Sequence, residues 1–448
     1  MFKSLTAIAL ALASLTLGAR VASADDYIAV ENIAPLSAQS MLLGLGRAGE
    51  EEELSPSKKI LQQLLYDSVP FWRDSTASLK LRGYDFQRDN DVEILSDASA
   101  IGTELGFKSG QWHDRVSVVA SWHTSSGFDA PSDLGGSGIL APDQSNLSMI
   151  SRAYVHVDLP KDTFLRLYRQ DFNVPYLNRS DSRMIPNTHE AYIIERDKGR
   201  LEFLLGHVTK MKKKDSEDFL PMGEVAGAPG NQSGSSIGGI RFNINDDISI
   251  GAMAMHTSDL FSTAYSETSY KHTFNDQWGM QLAAQATQQW SIGEQLLGDF
   301  NTHGFGLRGA LSYQGAVLNL AYTKNNGDFK VRSPFGGRPN FTTGMLYDFD
   351  RAGEEAWRIG LSQNFEAYGL PGFSVIVNYT EGRNSVADNG IELNDESEMA
   401  ITADYRPPGT ALRGLWLRVR YADGRRGDPL SDRHNLRIIV NYSLSALQ

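Results

Sequence analysis

Leu415-Trp416-Leu417-Arg418-Val419-Arg420-Tyr421 is the stretch on which the fold turns. Successive side chains of a strand point to opposite faces, so Leu415, Leu417, Val419 and Tyr421 share one side and Arg418 and Arg420 the other. A soluble sheet would turn the apolar side inward and the arginines to bulk water. A transmembrane barrel turns the apolar side to lipid and the arginines into a water-filled lumen.

The same alternation recurs along most of the chain. Leu79 and Leu81 alternate with Lys80 and Arg82, and Val116, Val118, Ala120 and Trp122 with Ser117, Val119, Ser121 and His123. Phe305, Leu307, Leu311 and Tyr313 flank Arg308 and Ser312. Phe373, Val375, Val377 and Tyr379 flank Ser374, Asn378 and Thr380, and Leu436, Ile438, Val440 and Tyr442 flank Arg437, Asn441 and Ser443. Several apolar faces end in Trp or Tyr, as an interfacial aromatic girdle requires. Asn326-Gly327, Asn389-Gly390, Asp423-Gly424 and Leu370-Pro371-Gly372 read as turns. A chain of this length holds about 16 to 18 tilted strands, enough for an aqueous channel.

Residues 1–24 read as a secretory signal peptide: Lys3, an apolar run from Leu5 to Gly18, then Ala22-Ser23-Ala24. That run is too short to span a bilayer as a helix, and no later segment approaches the length needed. Removing Lys3 and Arg20 with it takes the formal charge from -12 to -14, which disfavours a nucleic-acid partner. There are no cysteines, so an exported chain is stable here without disulfides or thiolate sites. Glycine at 42 residues, aromatics at 10% and mean hydropathy below zero fit a barrel with a polar lumen, although a soluble exported β-protein shares that composition.

Residues 25–75 differ. Glu50 to Glu53 form an acidic run, Ser55-Pro56 can start a helix, and Ile60, Leu61, Leu64 and Leu65 share a helical face. The segment is a periplasmic piece, a lumen insert or a mobile tail, ahead of a barrel spanning 76–448.

Literal motifs carry little chemistry. Gly44-Leu45-Gly46-Arg47-Ala48-Gly49 matches a dinucleotide loop but lacks a βαβ unit and adjoins acids that repel phosphate. Gly234-Ser235-Ser236-Ile237-Gly238 matches a nucleophile elbow, yet a Gly/Ser-rich loop precedes it and a strand pattern follows, which reads as a turn. The histidines show no metal-binding spacing, so no catalytic residue, metal or cofactor is assigned. Lys210 to Lys214 reads as a solvated strand end; a patch for lipopolysaccharide headgroups is the weaker alternative, because Asp215, Glu217 and Asp218 cancel its charge. Arg82, Arg308, Arg418, Arg420 and Arg437, with Lys80, are an ordinary solvated face in a soluble sheet, but in a barrel they gather in one lumen and attract anions.

Asp171 to Tyr192, including Asn173-Val174-Pro175-Tyr176-Leu177-Asn178-Arg179-Ser180-Asp181-Ser182-Arg183, resembles the OprD-type outer-membrane porin family. Asp348 through Trp357 and on to Phe373, and the ending Asn435 to Leu444, are similar to that family as well, in order over residues 76–448. The resemblance implies an all-β, transmembrane antiparallel barrel of 18 strands, monomeric, in the bacterial outer membrane among its lipid and lipopolysaccharide. It further implies an inward-folded third loop and a row of basic residues guiding small carboxylates. Arg82, Arg418, Arg420 and Arg437 are the matching positions for that row, and Tyr176, Arg179, Asp181, Ser182 and Arg183 for the constriction loop. Asn378 stands where the family can carry a basic residue, residues 25–75 exceed the family's usual start, and the chain ends in Ala446-Leu447-Gln448 rather than an aromatic.

The expectation is therefore a passive channel for small anionic nutrients. Its rivals are a channel for neutral oligosaccharides, with Trp112, Trp290 and Trp416 as stacking surfaces, and a barrel plugged by residues 25–75. An enzyme using a nucleophile such as Ser236 ranks last.

Overall fold

The computed structural model describes residues 69–387, 390–409 and 412–447. The leader, the acidic run, the expected helix around Ile60 to Leu65 and the Asn389 turn position lie outside them. Eighteen antiparallel strands form the wall. The first six are β1 (Thr76–Asp89), β2 (Ile94–Lys108), β3 (Val116–Asp129), β4 (Leu147–Leu159), β5 (Thr163–Gln170) and β6 (Thr188–Arg196). Next come β7 (Leu201–Lys212), β8 (Ser235–Asn243), β9 (Ile248–Thr257), β10 (Phe261–Thr273), β11 (Trp278–Ser291) and β12 (Asn301–Tyr313). The last are β13 (Ala316–Gly327), β14 (Glu355–Asn364), β15 (Phe373–Arg383), β16 (Glu396–Tyr405), β17 (Leu415–Arg425) and β18 (Arg433–Leu447). Each pairs with the next, and β1 pairs with β18 from Ala77↔Leu447 to Asp89↔His434, so the sheet closes and leaves no edge.

Alternation decides which face is which. On β17, Arg418 and Arg420 are buried while Val419 and Tyr421 are exposed. Around the barrel the exposed side chains are large and apolar: Leu205 at 53%, Leu307 at 55%, Leu320 at 51% and Leu361 at 53%. A water-facing surface rarely presents so continuous an apolar band, and hydrocarbon is the solvent that suits it. Trp278 and Tyr313 lie 4.3 Å apart, tilted, beside the short connections at one rim, and Trp357 and Tyr379 lie 5.4 Å apart near the other, two girdles bounding the band. The second rim carries the long connections 130–146, 171–187, 213–234 and 328–354, which marks it as extracellular.

Three of these loops share one apolar core inside the lumen. Phe172, Val174, Tyr176 and Leu177 from 171–187 meet Met222 and Val225 from 213–234 and Val331 and Phe335 from 328–354. Together they pack against Ile193, Leu204, Val208, Ile237 and Phe261 of the wall, an apolar core that fills one side of the barrel. Asn178 N donates to Phe335 O at 3.0 Å and joins two of the loops.

Two expected turns are strand instead. Asn326-Gly327 ends β13, and Asp423-Gly424 lies within β17. At Gly424 the missing side chain serves a close approach, because a Cβ there would come within 2.6 Å of Tyr347 Cε2 on the inward loop. Pro371-Gly372 is a turn.

Candidate functional site

On β1 the inward positions run Lys80, Arg82, Tyr84, Phe86 and Arg88, rungs about 7 Å apart. The loop 171–187 lies against them. Arg82 donates through Nη1 to Asp181 Oδ1 at 2.8 Å and to the Arg183 carbonyl, and through Nε to Asn441 Oδ1 at 2.7 Å. Tyr84 Oη donates to Ser182 O at 3.1 Å. Arg179 bridges Asp181 and Asp171, each at 3.0 Å. Arg183 donates from Nε to Ser137 O at 2.8 Å and lies 5.0 Å from the Phe86 ring centroid. Tyr176 takes a different place: its hydroxyl pairs with Thr287 Oγ1 at 2.8 Å across the lumen, within the apolar core. Lys80 faces Glu104 at 3.3 Å, and Arg152 reaches the same carboxylate at 2.7 Å.

Burial opposes ionisation of Asp181, yet the Arg82 and Arg179 guanidiniums beside it more than offset that and hold its carboxyl well below the usual carboxylate range. Asp171 is lowered likewise, with Arg179, Arg152 and Arg166 overcoming its burial. Both loop acids are thus anions already satisfied by cations.

Toward the mouth, Arg420 and Arg437 stand directly opposite each other in the β17–β18 register. Arg420 Nε donates to Thr402 Oγ1 at 3.2 Å, and Arg437 Nε to Asn435 Oδ1 at 2.5 Å, with Arg437 Nη2 on Met345 O at 3.4 Å. Arg308 lies over the Phe341 ring at 4.7 Å. Arg358, which the sequence reading passed over, completes this wall: it is buried on β14, donates to Thr343 O at 2.6 Å and interacts electrostatically with both Arg308 and Arg420. The signal was present, since Arg358 sits between Trp357 and Ile359 with the alternation that identified Arg308.

Arg418 is set apart from that group. Its Nε and Nη2 clasp Asp404 at 2.7 and 2.9 Å, and its guanidinium lies 4.4 Å from the Trp416 ring. Of the three tryptophans weighed as stacking surfaces, only Trp416 has inward parity, and Arg406 is also 4.7 Å from it. Trp112 is exposed in the β2–β3 connection, and Trp290 shares the outward parity of Ala286 and Gln288.

The loop 328–354 is pinned by one carboxylate. Glu398 accepts from the backbone N–H groups of Met345, Leu346 and Tyr347 at 2.5, 2.8 and 3.0 Å. Above it opens a cavity of about 560 Å³ lined by Asp348, Asp350, Glu396, Lys330, Arg351 and Arg426 among others. Burial, and then its neighbour Asp348, push the Asp350 carboxyl well above the usual range.

The Lys210 to Lys214 run is not one solvated patch. Lys212 is wholly buried because the constriction loop covers it, its Nζ donating to Pro186 O at 2.9 Å, while Lys210, on the same strand face two residues earlier, stays exposed. Among the described residues, no cluster of three His, Asp or Glu side chains is arranged to hold a metal.

A family model described as outer membrane porin, OprD family, matches residues 69–446. Porin D of Pseudomonas aeruginosa is 25% identical over 414 residues, covering 84% of this chain and 92% of that protein. Among solved structures, P. aeruginosa OccK9 aligns with a TM-score of 0.77 at 22% identity, covering 84% of this chain and 100% of the other. P. aeruginosa OpdK with vanillate gives 0.74 at 22% over the same shares. OccAB2 of Acinetobacter baumannii gives 0.76 at 20%, again over 84% and 100%.

Proposed function

Because this chain belongs to the OprD family of outer membrane porins, we propose that its channel passes small carboxylate-bearing nutrients passively along a basic wall. The observation that carries the proposal is the placement of Arg420 opposite Arg437, with Arg358 and Arg308 close by on the same lumen surface. Like charges opposite one another destabilise a sheet. Concentrated in a narrow lumen, they raise the local potential and draw anions in.

Guanidinium forks match carboxylates with paired donors, and several shallow positions allow a solute to leave as well as enter. Arg82 and Lys80 continue the basic positions toward the periplasm, where Asp181 and Glu104 temper them. Tempering of that kind keeps a bound anion from being trapped. Vanillate, present with the related OpdK, is itself an aromatic carboxylate, which supports the same solute class. Trp416 offers a neutral sugar no open stacking platform, since two guanidiniums occupy it.

The test is reversal potential under a salt gradient for the refolded barrel in a planar bilayer, beside Arg420→Ala with Arg437→Ala. Anion selectivity that falls in the double variant supports the basic wall. Unchanged selectivity, or current blocked by a neutral trisaccharide and not by benzoate, overturns it.

A further inference from the structure

The outer wall carries one row that lipid alone does not explain. In register across six adjacent strands stand Tyr192, His207, Ser236, His256, Ser262 and Trp290. His207 Nδ1 and Ser236 Oγ are 3.2 Å apart, and His256 Nδ1 and Ser262 Oγ 2.9 Å. A Cβ at Gly234 would come within 2.4 Å of His207 Nε2, so the glycine is what gives that imidazole its place. One rung toward the periplasm the same face carries Ile194, Leu205, Gly238, Ala254 and Ala264 and turns polar only at Gln288 on the last of these strands.

One rung toward the extracellular rim, Lys210 is exposed, and its cross-strand neighbour Glu190 pairs with Arg169 at 3.1 Å. The row therefore sits where the apolar band ends, between a Tyr and a Trp, which is headgroup depth in the outer leaflet. The exposed His207, Ser236 and His256 can donate to a phosphate, and Lys210 adds the charge that an anionic headgroup needs.

We propose that this row is a binding site for a phosphorylated saccharolipid headgroup of the outer leaflet, that is, lipopolysaccharide. The pairing of His with Ser is also the start of a nucleophile geometry, but it recurs unchanged one pair of strands on. Repetition along a membrane-facing row suits an extended headgroup better than a single reaction centre.

Native mass spectrometry of the intact barrel, released from detergent with bis-phosphorylated lipid A or the same lipid stripped of phosphate, tests this. The comparison is with His207→Ala/His256→Ala and with Lys210→Ala, each checked for unchanged single-channel conductance as proof of folding. Retention of phosphorylated lipid A at least tenfold weaker in the variants, with the phosphate-free lipid held as weakly by the native chain, supports the site. Equal retention in all three proteins, or no dependence on phosphate, overturns it. Loss of an acyl chain from the lipid that disappears in Ser236→Ala also overturns it, in favour of an ester-cleaving dyad.

Discussion

Arg82 Nη1 donates to Asp181 Oδ1 at 2.8 Å, fixing the first strand of the wall to the tip of the constriction loop across 99 residues of sequence. The same guanidinium holds the Arg183 carbonyl and Asn441, so one side chain ties the loop to both the first and the last strand of the wall.

Arg82→Ala should therefore loosen the loop without unfolding the barrel, at roughly 1–3 kcal/mol of local docking. Open-channel current noise is expected to rise, with a larger mean conductance. Asp181 has a carboxyl lowered against burial by Arg82 and Arg179, so its contribution is complete above the unfolded value near 4 and is lost only as pH falls through the lower docked value. Noise in the native channel should accordingly stay flat between pH 7 and 5. A rise within that window would remove the Asp181 latch from the account.

Alternation carried the sequence reading far because a closed sheet makes every strand obey it. Arg82, Arg308, Arg418, Arg420 and Arg437 all have the parity expected of a lumen face, as Leu307 and Val419 have that of the lipid face. What parity cannot report is tertiary pairing. Nothing local at Arg418 announces Asp404, and nothing at Arg358 announces Thr343 on a distant loop. Lys212 shares strand parity with the exposed Lys210 and is buried only by the loop carrying Pro186, a contact that alternation does not report. The inward loop 328–354 was missed for a similar reason: its anchor, Glu398, lies on another strand and acts through backbone amides that carry no sequence signature.

Arg418 separates structure from selectivity. Its removal leaves Asp404 buried, with Trp416 Nε1 donating at 2.6 Å and Arg406 interacting electrostatically. Breaking a buried pair from one side costs about 3 kcal/mol or more. Arg418→Ala should lower the urea midpoint of the refolded barrel, while Arg420→Ala lowers anion selectivity with a smaller stability loss. The reverse ordering of the two variants would show that Arg418 is the more important anion contact.

Glu398 holds three successive amides, and each hydrogen bond to a charged acceptor is worth about 1.5–3 kcal/mol. Glu398→Ala should release the segment around Met345 from Arg358 and Arg437 as well, since both guanidiniums reach its carbonyl side. Single-channel records are expected to show a second, larger conductance level. Glu398→Gln, which keeps an acceptor, should sit between the two; a single native-like level in Glu398→Ala would mean that the loop is held by its apolar contacts instead.

At the mouth, the Glu354 carboxyl is pushed up to about 8, by burial first and by the Glu396 carboxylate second, with Arg351 only partly opposing them. Between its unfolded value near 4.5 and this raised one, the folded chain keeps a proton that the unfolded chain has released, so stability falls as pH rises through that window. The channel has a matching signature. As pH passes 8 the mouth gains a negative charge beside Asp348 and Asp350, and anion selectivity should decline from pH 6 to pH 9. Glu354→Gln cannot gain that charge, and its reversal potential should change less over the same range. If the native channel and Glu354→Gln respond alike, the titrating group lies elsewhere along the lumen.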